Sequence, residues 1–439
     1  MLTRIYTGCQ LPGGRSLFFT DLAAMISKLV SKLLMIVVFC GFTLPGFAQN
    51  DLPANWRAHL VRKDSNEVIF KIETKKENGQ VVFYIINDKE KLRISPVNFI
   101  GDSIHFDMPA FESSFRTKKN KDGSLKGTWT KGTAGVTQHW NFYAIPNQPF
   151  RFETNIGKAK HNISGRWDVD ITRSNGTIRK AVAEFKQQGE KLTGTFLTPS
   201  GDYRYLDGIV TGDSLKLSTF DGAHAYAFYA KVNSADKISG GVFYSGFAGV
   251  EKWVAEKNET IGTPDQERPT MLKDGETRLN FSFNDLNGKP VSINDERYKN
   301  KVVIVQILGS WCPNCMDETK FLSEFYNENK NRGVEVIGLA YEYDTNVERS
   351  LKSLRKFEKL FNVQYPILIT GGISSDDEKT EKTLPQLTAI RSFPTTIFID
   401  KKGEVRKIKG VFYGPGTGEF YEAFKKEFYG TIDKLLNEN

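Results

Sequence analysis

Residues 50–256 set down the same landmarks twice at one spacing. Trp56 in NWRAHLV is matched by Trp167 in RWDVDIT, 111 residues later, and GDSIHFD from Gly101 by GDSLKLS from Gly212 at the same interval. LKGTW from Leu125 pairs with ISGGV from Ile238, and Trp140 with Trp253, both at 113. An offset held this closely over four anchor points marks a duplicated structural unit. Between the landmarks run short segments rich in Val, Ile, Phe, Tyr and Thr, broken at Asn-Gly, Asp-Gly, Gly-Asp and Lys-Asp turns, which read as β-strands throughout. With 32 Phe and 16 Tyr against 6 Met, the composition favours β packing over helical bundles. The expected fold of this half is two tandem all-β modules, residues 50–150 and 161–256, each with roughly eight short strands. Small antiparallel barrels are the natural form, because closure removes exposed edges.

The N-terminus reads as a targeting segment. From Met25, the expected start, Lys28 and Lys32 precede an apolar stretch from Leu33 to Leu44, and Gly46 and Ala48 supply small residues at a cleavage site after Ala48. The apolar run is shorter than the ~20 residues of a membrane span, which weighs against an anchor. Residues 1–48 are therefore expected to be a secretory signal, and the chain an exported, periplasmic protein, soluble or membrane-tethered. Without that segment, 56 basic side chains face 51 acidic ones, with no basic cluster, so nucleic-acid binding has no support.

KNETIGTPDQERPT, residues 257–270, is polar, holds two prolines and has no periodicity; the linker is expected over 257–272. From residue 273 to 439 the pattern becomes alternating strands and helices. KVVIVQIL (301–308) is a nearly continuous apolar run, as in a strand covered on both faces. A helix is expected over 313–331 and a second buried strand in GVEVIGLAYE. A second helix carries a stripe of Val347, Leu351, Leu354 and Phe361. YPILITG, a hairpin turning at Lys402-Gly403, and a last helix with Phe420, Phe424, Phe428 and Ile432 four apart complete the domain. This order fits an α/β domain with a mixed sheet flanked by helices.

Of four cysteines, Cys9 and Cys40 fall in the N-terminal segment, leaving only Cys312 and Cys315. In an oxidising compartment cysteines normally serve as widely spaced cross-links. A lone close pair closes so small a loop that it adds little stability, so its value is reactivity. Cys312 is placed to cap a helix with Pro313 at its first position, where the helix dipole favours a thiolate. Cys315, three residues on, returns to the same side of the first turn. A closed zinc site needs four ligands, but residues 257–439 hold no histidine and no third cysteine. The same count removes a Cys-His hydrolase. His59, His105, His139, His161 and His224 all lie in the β region and read as ordinary strand or loop residues.

LGSWCPNC followed by MDE, with SFPTTIFID about 80 residues on, resembles the thioredoxin superfamily and, within it, the TlpA/ResA-like exported thiol–disulfide oxidoreductases. GRW at Gly165 to Trp167 is similar to the Gly-x-Trp opening of lipocalin-like barrels, whereas the first module has ANW. The redox resemblance implies a thioredoxin-like fold, Cys312 as the exposed nucleophile and Cys315 as the resolving thiol. It implies that Pro394 is cis and faces the sulfurs, with Trp311 and Phe393 completing a substrate-docking surface. Glu318, three residues beyond Cys315, corresponds to the glutamate that serves proton transfer. Gln306 stands where thioredoxins proper carry a buried aspartate, and Thr319 replaces a proline often found after the glutamate. The implied activity is reduction of protein disulfides, without cofactor or metal. The implied partners are disulfide-bearing client proteins and an upstream electron-donor thiol protein. The ligand of the β modules is not specified by any motif. Two other readings are weighed. A thiol peroxidase shares the underlying fold, but Gly309 stands where its threonine belongs. A non-enzymatic binding protein built on the β modules leaves the intact CPNC motif unexplained.

Overall fold

The computed structural model describes residues 52–133, 136–153, 157–266 and 268–438. The expected signal segment, with Met25, Cys9 and Cys40, lies outside them. Among the described residues no helix is long and apolar enough to cross a membrane.

The β half forms two nine-stranded antiparallel sheets, each joining its first strand to its last. In the first, Asn55–Val61 pairs with both Glu67–Glu77 and Val136–Pro146. Its two edges, Glu90–Ile94 and Val97–Ile100, are consecutive in the chain and do not pair, so this barrel is nearly closed. Pro96, between them in a cis peptide, has no N–H to offer at that seam. The second sheet closes fully: Gly165–Thr172 pairs with Gly249–Lys257 and with Ile178–Gln188, which in turn pairs with Lys191–Thr198. Its extra strand is a two-residue spur, Gly201–Asp202, paired to the end of Lys191–Thr198.

The duplicated landmarks occupy equivalent places. Trp56 and Trp167 lie in the opening strands and Trp140 and Trp253 in the closing ones, all fully buried. Gly101 and Gly212 both have φ +57°, the left-handed conformation that a tight turn asks of glycine.

The C-terminal domain is thioredoxin-like. Its seven-stranded mixed sheet runs Pro290–Ser292, Ser282–Asp285, Ile367–Ile373, Val334–Glu342, Val302–Leu308, Thr395–Ile399, Val405–Lys409. Val302–Leu308 is buried along its whole length, parallel to Val334–Glu342 and antiparallel to Thr395–Ile399. Helices α1 (Pro313–Asn329), α2 (Val347–Leu360), the short α3 (Lys379–Thr383) and α4 (Glu419–Asn437) complete it. The helix α3 was not legible as a periodic stripe because it is barely one turn long. In α2 the expected stripe is corrected at one position: Val347, the first helical residue, is 56% exposed, whereas Leu351, Leu354 and Phe361 pack with Phe357 on the core.

The barrels are packed against this domain. Ala110 and Phe111 of the first and Ala223 of the second belong to the same apolar core as Cys312, Cys315 and Phe321.

Candidate redox site under the second barrel

The strand Val302–Leu308 delivers the chain to Gly309, and α1 carries it away. Gly309 has no room for a side chain, because a Cβ there collides with the Trp311 indole. Ser310 is pinned to the buried Glu342 carboxylate through its backbone N–H (2.8 Å) and its hydroxyl (2.7 Å). Trp311 donates from Nε1 to the Tyr341 carbonyl at 2.9 Å, stacks on Tyr343 and meets Phe393 edge-on.

Cys312 is the N-cap of α1 in extended conformation, with Pro313 in the first turn. The two cysteines form a disulfide with Cα atoms 5.2 Å apart. Cys312 Sγ accepts the Cys315 N–H at 3.2 Å, a local bond that any negative charge on this sulfur strengthens. The Phe393 carbonyl oxygen stands 3.4 Å from the same sulfur, and the Phe393-Pro394 peptide is cis. Trp311, Phe393 and Pro394 are thus brought to the pair.

Glu318 lies behind the sulfurs, on the buried face of α1. Its carboxylate accepts from Thr396 Oγ1 at 2.6 Å and from Gln306 Nε2 at 2.8 Å, and Gln306 Oε1 accepts from the Thr319 hydroxyl at 2.9 Å. The two departures from the family pattern, Gln306 and Thr319, therefore complete one network around the glutamate. Burial pushes the Glu318 carboxyl up to about 7, against the opposing pull of those hydrogen bonds and of Lys409.

One expectation is corrected. Cys312 is not exposed: only 3% of its surface is accessible, with its sulfur in the disulfide and against the Phe393 carbonyl. The loop around the Gly201–Asp202 spur lies on the motif. Asp202 Oδ2 accepts from Asn314 Nδ2 at 3.0 Å and from the Gly414 N–H at 2.7 Å, and the Tyr413 hydroxyl donates to the Thr198 carbonyl at 3.0 Å. Burial raises the Asp202 carboxyl to about 6 despite the N–H groups it accepts. Arg204 grips Asp317 of α1 with two bonds, 2.7 and 2.8 Å, and Glu90 of the first barrel at 2.6 Å.

What remains between barrel and motif is a cavity of about 470 Å³ that Trp311, Cys312, Pro313 and Phe393 line on one side. Cys315, Glu318 and Pro394 do not line it. From the barrel side come Arg179, Asp202, Tyr203, Tyr226 and Glu251, together with His224, whose Nδ1 lies 2.9 Å from the Asp221 carboxylate. Sequence reasoning missed all of these. In the sequence His224 looks like an ordinary strand or loop residue, and no local pattern ties a barrel loop to a motif more than a hundred residues away.

Residues 273–422 match the Redoxin family. The thiol-disulfide oxidoreductase ResA of Bacillus thuringiensis subsp. konkukian is 31% identical over 137 residues, which cover 31% of this chain and 69% of that protein. The chain belongs to the ResA thiol–disulfide oxidoreductases. The ResA of Halalkalibacterium halodurans is 28% identical over 163 residues, 37% of this chain and 79% of its own. A crystal structure of a thioredoxin-family thiol:disulfide interchange protein from Chlorobium tepidum TLS aligns over 38% of this chain and 100% of its own, at 20% identity and a TM-score of 0.28. As a member of the ResA family, the chain is a protein-disulfide oxidoreductase. The Cys312–Cys315 disulfide lies within the residues matched to that family.

Proposed function

We propose that the protein is exported and reduces disulfides of client proteins in the periplasm, with residues 273–439 as the redox domain, 257–272 as its tether, and modules 50–150 and 161–256 presenting the substrate. In the reduced enzyme the Cys312 thiolate attacks one sulfur of the client disulfide. That bond breaks, the other client sulfur leaves as a thiolate, and a Cys312–client mixed disulfide forms. Cys315 then loses its proton to Glu318 and attacks Cys312 Sγ, expelling the second client thiolate. Two electrons have passed to the client, and the enzyme is left in the disulfide form. A donor dithiol protein returns the pair to the reduced state. Trp311 and Phe393, the latter followed by cis Pro394, form the surface on which client backbone docks beside the sulfur.

The observation that carries this reading is the placement of Cys312 at the head of α1, its sulfur accepting the Cys315 N–H. A nucleophile and its resolving partner share one turn there, with a proton acceptor on the buried side. The test is a Cys315→Ala variant, which lacks the resolving thiol and should accumulate covalent client adducts that dithiothreitol releases. The proposal fails if no adduct forms, or if adducts persist when Cys312 is also replaced by Ala.

A further inference from the structure

The cavity over Cys312 is the open end of the second barrel. Along its strands alternate residues face inward. Arg179 stands two residues before Ala181, and Glu251 two before Trp253; Ala181 and Trp253 both lie in the barrel core with Phe243. Arg179, Glu251, Tyr226 and Phe243 line the same cavity as the redox motif. The mouths of β-barrels are recurrent ligand sites, and a volume of about 470 Å³ falls within their usual range of roughly 300–1,000 Å³.

We propose that this barrel mouth is the substrate pocket of the redox pair and that it admits a peptidic disulfide on a short, extended segment carrying a carboxylate near the sulfur. The inference rests on the disulfide-reductase reading above and adds the class of substrate. Three observations converge on it. The first is access: Cys312 is almost wholly covered, while the loop of Asp202 and Arg204 is bonded to Asn314, Gly414 and Asp317. With the parts arranged this way, the broad surface of a folded protein does not reach Sγ, whereas a few residues of extended chain fit the cavity. The second is wall chemistry. Arg179 Nε and Arg204 Nη1 are buried N–H donors without a partner, and leaving such donors unmet is unfavourable. Both arginines line the cavity, and Arg391 stands exposed on its rim beside Phe393. Arg179 is paired with Glu251 through Nη2 at 2.6 Å and Arg204 with Asp317 and Glu90, and Asp202 and Asp221 also line the cavity. The two open N–H groups thus favour acceptor oxygens, and the cation left to attract a carboxylate is Arg391 at the rim. The third is the apolar remainder: Tyr203, Tyr226 and Phe243 form an aromatic cluster with ring centroids 5.3–5.5 Å apart, suited to the aliphatic and aromatic parts of a peptide.

The electron count is that of the mechanism above: the segment's disulfide takes two electrons, leaves as two thiols, and the enzyme pair becomes the disulfide. Such a segment can be a free small peptide or a stretch of an unfolded protein, and the experiment separates these. The full-length protein is pre-reduced, and kcat/KM is measured for four disulfides. These are oxidised glutathione, its carboxamide analogue, a disulfide-bearing unfolded polypeptide with acidic residues beside its cysteines, and the same polypeptide with those residues changed to Asn and Gln. Each acidic form is expected to be preferred over its neutral form. In Arg179→Gln and, independently, in Arg391→Gln, that preference should fall about 10-fold through KM, the size expected for one charge-assisted hydrogen bond. Arg391 is exposed, so its variant remains informative if Arg179→Gln does not fold. A preference for glutathione alone assigns the pocket to small peptides, and one for the polypeptide alone assigns it to chain segments. Equal rates on acidic and neutral forms, or a preference unchanged in both variants, overturn the pocket assignment while leaving disulfide reduction standing. Failure on all four substrates removes the underlying reading instead.

Discussion

At the scale of single residues, the decisive group is Glu318. Burial, with 2% of its surface accessible, raises its carboxyl from 4.5 to about 7. A folded-state value above the unfolded one means that the folded protein holds this proton more tightly. The resulting contribution to stability is complete below about pH 4.5 and is lost as pH rises through about 7. Glu318→Gln keeps the hydrogen-bonding shape and removes the titration. Relative to the parent, the variant should gain stability between pH 5 and pH 8, by at most about 3 kcal/mol, as read by urea unfolding at the two pH values. Its activity should move the other way. Without a proton acceptor for Cys315, resolution of the mixed disulfide should slow by about 10²-fold, and the rise in parent rate through pH 7 should flatten. Superimposable pH–rate profiles for parent and variant rule out the proton-transfer role. The sequence points to Glu318 through the family resemblance and through its i, i+3 spacing from Cys315. It did not reveal Thr396, because that partner comes from a strand 78 residues away.

Elements show where sequence periodicity holds and where it stops. Of the expected α4 stripe, Phe424, Phe428 and Ile432 are buried and Phe420 is half-buried, and the duplicated tryptophans occupy matching strands, because both patterns follow local geometry. The stripe of α2 fails only at Val347, the first helical residue, while Leu351, Leu354 and Phe361 pack against the core. The loop joining Val302–Leu308 to α1 depends on a different feature, the missing Cβ of Gly309. In Gly309→Ala, Trp311 must leave its position against Tyr343 and Phe393 and give up its hydrogen bond to the Tyr341 carbonyl. Overpacking with one lost hydrogen bond predicts a stability loss of about 2–3 kcal/mol, together with an altered indole emission spectrum. An unchanged emission spectrum and melting temperature show that the loop accommodates the methyl group, and that Gly309 is not what fixes Trp311.

Across the whole molecule, the all-β character of the N-terminal region and the thioredoxin-like character of the C-terminal one are each legible in the sequence. Their arrangement is not, because it is made by residues whose surroundings come from other parts of the chain. One guanidinium shows this best. Arg204 sits in the barrel loop GDYR and bonds Asp317 on the redox helix and Glu90 on the first barrel. Burial alone lowers the charge affinity of such a group, but Asp317 and Glu90 hold the arginine well above its ordinary value. Glu90 is itself raised, first by burial, with Arg204 opposing. Arg204→Met leaves two facing carboxylates without their shared cation, and removing one member of a buried ion pair costs about 3–5 kcal/mol. The weakest boundary should give first, namely the contact between barrel loop and motif, since its other ties are the hydrogen bonds that Asp202 accepts from Asn314 and Gly414 and the one that Tyr413 donates to Thr198. Separation there uncovers Cys312. In the reduced protein, iodoacetamide should therefore modify Cys312 at least about 10-fold faster in Arg204→Met than in the parent, each tenfold corresponding to about 1.4 kcal/mol of easier opening. Asp317→Asn, which keeps most of the hydrogen bonding but removes one charge, should lie between the two. Measuring alkylation well below the denaturation midpoint of each variant separates local opening from global unfolding. If Cys312 reacts at the parent rate in both variants, the barrel does not control access to the sulfur, and its closeness to the redox pair is packing alone.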